Sequence, residues 1–239
     1  MSLILRSLAF HSGFFIGTAL IGLCGLPALL GPTSWARGVG TLWSGFVLTW
    51  ARWTVGITYR LEGALAPGPI IIAAKHQSAF ETYLFPVIRP DAVFVLKQEL
   101  LRVPLVGWYL ARSGQIALDR RGGANAMRKL LRQARDRLDA GQTLVIFPEG
   151  TRVAPGRSVA LQPGVSALYR STRAPVVPVS VDSGAYWPRN SFLRRPGCVR
   201  VIVHPALPAG LTRMEFEGRL TSIFAGHSGG SEGAACVSG

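Results

Sequence analysis

Acidic residues are scarce in this chain: 12 Asp and Glu stand against 26 Lys and Arg, giving a formal net charge of +14 over 239 residues. Lysine is scarcer still, with only Lys75, Lys97 and Lys129, so the positive charge is almost all arginine. Such a surface is not self-neutralising, and it points to a partner that is polyanionic or carries phosphate groups, which arginine's paired donors fit. Nucleic acid and an anionic membrane both qualify. The chain is 49% hydrophobic, with a mean hydropathy of +0.30, which is more apolar than a dedicated nucleic-acid binder needs. The balance favours a membrane with anionic lipids and no nucleic acid.

Cysteine is nearly absent. Cys24, Cys198 and Cys236 are odd in number and scattered, with no CxxC pair, which suggests neither a disulfide framework nor a zinc site. The four histidines, His11, His76, His204 and His227, are equally dispersed, so no metal cluster is expected. There is no internal repeat, and the length fits one globular domain with a short appendage.

Long apolar runs are present at one end. Residues 8–30 are long enough to cross a bilayer core and read as a membrane helix. A cleaved signal peptide is the rival reading, but the run exceeds a typical signal core and no A-x-A site follows. Pro27 and neighbouring glycines leave room for a hairpin dipping into one leaflet. Trp43, Phe46, Val47, Trp50, Trp53 and Ile57 recur at helical spacing and predict a second helix, its aromatic face turned to lipid headgroups or packed on the domain that follows. The Gly-, Ser- and Ala-rich end of the chain reads as disordered. The expected division is anchoring helices over 1–57, a catalytic domain over 58–225 and a tail over 226–239.

Beyond Thr58, β-branched runs at 70–74, 92–96, 115–118, 143–147, 176–181 and 199–203 alternate with helical patterns, which argues for an α/β sandwich. The clearest helix spans 124–140, with Met127, Leu130, Leu131, Ala134 and Leu138 on one face and Gly141 as its stop. Its arginines, Arg128, Arg132, Arg135 and Arg137, lie off that face and read as a solvated or headgroup-facing surface.

The sharpest chemical signal is His76-Gln77-Ser78-Ala79-Phe80-Glu81, just after the apolar run Ile70 to Ala74. A histidine at the end of a buried strand, with an acid near enough to orient it, is what a general base requires. Residues five apart on one helix point about 140° away from each other, so His76 must precede the helix for Glu81 to reach it. Ser78 as N-cap and Glu81 three residues on would form a capping box, the structural alternative for Glu81.

Two further segments follow: Gly114 to Arg120, and Phe147-Pro148-Glu149-Gly150-Thr151-Arg152. With the first, and with Ala174-Pro175-Val176-Val177-Pro178-Val179, they resemble the glycerolipid acyltransferase family, best known through the 1-acyl-sn-glycerol-3-phosphate acyltransferases. Phe147 to Arg152 matches the family's FPEGTR block throughout. Lys75 stands where the family usually has Asn, Glu81 where it has Asp, and Ala117 where its second block has Phe. The resemblance implies a mixed sheet flanked by helices, with an N-terminal membrane-associated helical pair. It implies His76 and Glu81 as the base unit, and Lys97, Arg120, Glu149, Gly150, Thr151 and Arg152 as substrate-binding residues. It further implies acyl transfer from acyl-CoA or acyl carrier protein, as co-substrates and without a cofactor, to the sn-2 hydroxyl of a lysophospholipid, on the cytoplasmic side of a membrane. A lyso-aminolipid acceptor and a non-enzymatic basic membrane adaptor are the other readings.

Overall fold

The computed structural model describes residues 2–119 and 121–226. Two helices come first, α1 (Leu3–Cys24) and α2 (Thr33–Val55), joined by a 3-10 turn over Leu26–Leu29. The first helix starts earlier than the apolar run suggests and stops before Pro27, whose ring and missing N–H cannot continue it. Gly56 ends α2 in the left-handed region (φ 75°), its N–H bonded to the Arg52 carbonyl. Ile57, expected to extend the helical stripe, therefore begins a strand instead: β1 (Ile57–Glu62) is the one strand not anticipated from the pattern.

The remaining elements are β2 (Ile71–Ala74), α3 (Phe80–Ile88), β3 (Val93–Lys97), α4 (Val106–Arg112), β4 (Ile116–Leu118), α5 (Gly123–Asp139), β5 (Leu144–Ile146), α6 (Pro163–Ser171), β6 (Val176–Val181), β7 (Gly197–Val203) and α7 (Arg213–Gly226). The seven strands form one mixed sheet in the order β1-β7-β6-β2-β5-β3-β4. Five run parallel, while β7 meets β6 antiparallel and pairs with β1 in parallel.

Because side chains alternate along a strand, the sheet feeds two cores. Ile70, Ile72, Ala74, Val145 and Val179 face a layer made by α1, α2 and α3. Ile71, Ala73, Leu144, Ile146 and Val176 face α5, α6 and α7. The basic helix α5 thus packs on the face of the sheet opposite the N-terminal pair.

The pair itself is closely packed. Cβ atoms at Gly13 and Gly17 would fall 2.3 and 2.2 Å from the rings of Trp50 and Phe46, which lie stacked against that notch. Trp50 donates to the Phe10 carbonyl and Trp43 to the Thr18 hydroxyl. The aromatic stripe is therefore divided: Trp43, Phe46 and Trp50 pack inward, while Trp53 is 79% exposed. The outward face of α1 shows Leu8, Phe15, Ile16 and Leu20. Among the described residues, α1 is the helix long and apolar enough to cross a membrane.

Candidate active site

Strands β2, β3 and β5 run the same way, and the loops leaving their carboxyl ends converge, the usual place for a ligand in an open α/β sheet. His76 follows β2 by two residues. Its backbone N–H donates to the Glu149 carboxylate (2.7 Å) and its carbonyl accepts from Val153 N–H (2.8 Å). Its ring stacks on Phe147 with centroids 4.0 Å apart. The Phe147–Val153 loop thus fixes the histidine through main chain and ring together.

Glu81, in the first turn of α3, is fully buried and faces His76 Nδ1 at 3.7 Å. That is an ion-pair distance, too long for a direct hydrogen bond, and it leaves Nδ1 a buried atom without a partner. Catalytic hydrogen bonds are often long before substrate arrives. The capping box is only half made. Glu81 accepts from the Ser78 N–H, but the Ser78 hydroxyl accepts from Phe80 N–H rather than from Glu81, because the helix begins one residue later than a Ser78 cap implies. Glu81 also accepts from Gln77 N–H (3.0 Å) and the Ser183 hydroxyl. Capping and facing the imidazole therefore coexist on one carboxylate. Since the Gln77, Ser78 and Phe80 amides are engaged, the helix start offers fewer donors to a substrate oxyanion than its position suggests.

Burial alone pushes the Glu81 carboxyl up, but the His76 ring, the Ser183 hydroxyl and the Gln77 amide together hold it below the usual carboxylate range. Glu149 goes the other way. Burial raises it to about 7, against the His76 amide and the Lys75 charge, with Glu81 adding like-charge repulsion. Lys75 is itself buried and donates to the Phe224 carbonyl near the end of α7 (2.8 Å).

A cavity of about 540 Å³ opens beside His76. Apolar walls come from α1, α2, α3, α4 and β3, including Ile21, Val39, Trp43, Phe94, Leu105 and Leu110; one end carries His76, Lys97, Gly150, Thr151, Arg152 and Arg189. Of the residues singled out from sequence, His76 and Glu81 meet, and Lys97, Gly150, Thr151 and Arg152 line the polar end. Gly150, at φ 67°, makes the turn that lets the backbone approach. Glu149 does not face the cavity. Its carboxylate accepts from the His76 amide, which ties it to the histidine's main chain, and the residue is 5% exposed. Arg120 lies outside the described residues. Sequence reasoning missed Ser183, 102 positions from Glu81, and Arg189; neither sits in a block that spacing could flag. The stacking role of Phe147 was within reach, since an aromatic opens the loop that faces the histidine.

The sequence profile of the Acyltransferase family matches residues 57–182. A 1-acyl-sn-glycerol-3-phosphate acyltransferase of Pseudomonas aeruginosa is 36% identical over 70% of this chain and 66% of its own length. The Saccharomyces cerevisiae enzyme of that name is 31% identical over 64% of this chain and 52% of its own. The chain therefore spans two-thirds or less of the curated relatives it matches. In three dimensions it is similar to the 1-acyl-sn-glycerophosphate acyltransferase PlsC of Thermotoga maritima, with a TM-score of 0.73 over 92% of each chain at 22% identity, a likeness of fold. Since the matched span takes in β1 through β6, the histidine and the turn that clamps it, the chain belongs to the Acyltransferase family.

Proposed function

We propose that the protein transfers a fatty acyl chain from a thioester to the sn-2 hydroxyl of 1-acylglycerol 3-phosphate, giving phosphatidic acid. One observation carries this reading: a histidine backed by a buried, ionised carboxylate stands at the polar end of a large apolar cavity. A carboxylate only accepts, so Nδ1 carries the proton towards Glu81 and Nε2 is the base. His76 Nε2 removes the hydroxyl proton, the oxygen attacks the thioester carbonyl carbon, and Glu81 stabilises the imidazolium. As the tetrahedral species collapses, the C–S bond breaks and the imidazolium returns its proton to the departing thiolate. The step uses protein side chains and the two substrates alone.

The apolar cavity suits an acyl chain, and Arg152 and Lys97 supply cations for the acceptor phosphate. Arg120 is kept as a third. The donor is acyl-CoA or acyl carrier protein, which places the catalytic domain on the cytoplasmic side of a membrane. The N-terminal pair suits attachment within one leaflet. Phe10 of α1 is buried against Trp187, 5.0 Å between centroids, and a full span would strip that contact away. The exposed apolar face then enters the interface while the opposite face stays on the domain.

The test is a steady-state assay of the purified full chain with a panel of lysolipid acceptors and both thioester donors. The expected result is preference for 1-acylglycerol 3-phosphate over a lyso-aminolipid, with turnover lost in His76→Ala. Near wild-type turnover of that variant would overturn the mechanism.

A further inference from the structure

The loop between β6 and β7 lies beyond the span matched by the family profile, yet it delivers a second guanidinium to the active site. Arg189 Nη1 donates to the Thr151 hydroxyl (3.1 Å) and to the Arg152 carbonyl (3.2 Å), and Arg189 lines the polar end of the cavity with Arg152 and His76. The loop that carries it is fastened at several points. Arg195 N–H bonds the Tyr186 carbonyl, Arg194 N–H bonds Ser7 of α1, and Gly197 N–H bonds the Gly56 carbonyl. Asn190 adopts the left-handed region (φ 58°), which few side chains other than Asn and Asp tolerate, and so turns the chain directly after Arg189.

Charge makes this placement informative. Among the described residues, neither Arg152 nor Arg189 has a salt-bridge partner. The nearby carboxylates of Glu81 and Glu149 are buried and occupied by backbone amides. Arg194 adds a third cation to this corner; burial lowers it to about 10, and Arg152 pushes in the same direction. Like charges gathered without an anion repel, and a guanidinium that spends Nη1 on the turn keeps its Nη2 and Nε donors.

We infer that Arg189 is a specificity-determining residue that binds the acceptor's phosphate together with Arg152, the pair forming a two-sided clamp at the end of the Phe147–Arg152 turn. The inference rests on the acceptor assignment above and adds to it a residue that its sequence blocks do not contain. The clamp would hold a phosphate monoester dianion through charge-assisted bonds from two directions.

The experiment compares kcat/KM for 1-acylglycerol 3-phosphate with that for the matched 1-acylglycerol, in wild type, Arg189→Ala, Arg189→Lys and Arg152→Ala. Arg189→Ala should reduce the preference for the phosphorylated acceptor by about tenfold or more, the range for one lost charge-assisted bond. The change should appear in the acceptor KM, with the thioester KM unmoved and with partial recovery in Arg189→Lys. An unchanged preference in Arg189→Ala, where Arg152→Ala loses it, would overturn the role of Arg189 and leave the acceptor assignment standing. An equal fall in kcat for both acceptors would overturn it too, since that is the mark of a residue that only braces the turn. A wild type indifferent to the phosphate would remove both the assignment and the clamp.

Discussion

At the scale of single residues, His76 and Glu81 answer to different measurements. His76→Ala should lower kcat by about 10² to 10⁴, as losing a general base does, without moving the melting temperature far. Glu81→Gln keeps a capping side chain but removes the charge facing Nδ1. Its kcat should fall strongly while Glu81→Asp retains more; near-normal kcat in the Gln variant would reduce Glu81 to a cap. Glu149 gives a prediction in pH. Its folded pKa lies above the unfolded value, so the stability it contributes is fully present below about 4.5 and is lost as pH rises through about 7. Glu149→Gln resembles the protonated form, so its melting temperature relative to wild type should climb between pH 5 and pH 8. The effect has a ceiling of about 3 kcal/mol. A constant difference across that range would show that Glu149 does not titrate there. These roles were unequally legible. His76, Glu81 and Arg152 stand in contiguous blocks whose order reveals them, whereas Glu149's inward turn depends on the backbone of a residue 73 positions away.

Elements are legible where the periodicity is long and hidden where a single residue changes it. The face of α5 and the strands β2 to β7 followed from alternation and apolar periodicity, within a residue or two at their ends. β1 was hidden because its apolar start continued the helical stripe of α2, and only the conformation of Gly56 separates them. The two glycines of α1 give the element-level test. Gly17→Ala gains about 1 kcal/mol of helix propensity. It also drives a methyl group into the Phe46 ring, and overpacking of this kind costs roughly 1–3 kcal/mol. We expect a net loss of thermal stability, larger than for Ala at Gly38, where a Cβ meets nothing within 4 Å. Equal melting temperatures for the two variants would mean that the notch is not tightly filled.

For the molecule as a whole, the proposed attachment to a membrane divides into an electrostatic and an apolar part. The charge of +14 should add affinity for anionic vesicles that fades with salt, while the face of Leu8, Phe15, Ile16 and Leu20 should hold the protein at any salt. Removing residues 1–33 is not a clean test of anchoring, because Phe10 and Ser7 belong to the folded domain. Phe15→Asp with Leu20→Asp leaves those contacts alone. That variant should pellet with vesicles much less than wild type in high salt and keep its melting temperature; undiminished binding would locate the anchor elsewhere. Composition pointed to a membrane partner, but it could not reveal that α1 packs one face on the domain through Phe10 and leaves Leu8, Phe15, Ile16 and Leu20 exposed on the other.

The pairing of β1 with β7 bears on how this protein is made. Ile57 aligns with Gly197, so the first strand to leave the ribosome waits for the last. At synthesis rates of about 5–20 residues per second, that interval is about 7 to 28 s. Throughout it the residues of α1 and α2 that end up in one core with β7, such as Phe10 and Val47, lack Val199 and Val201 as partners. Strand order therefore sets how long the faces of α1 and α2 that the finished sheet covers stay uncovered.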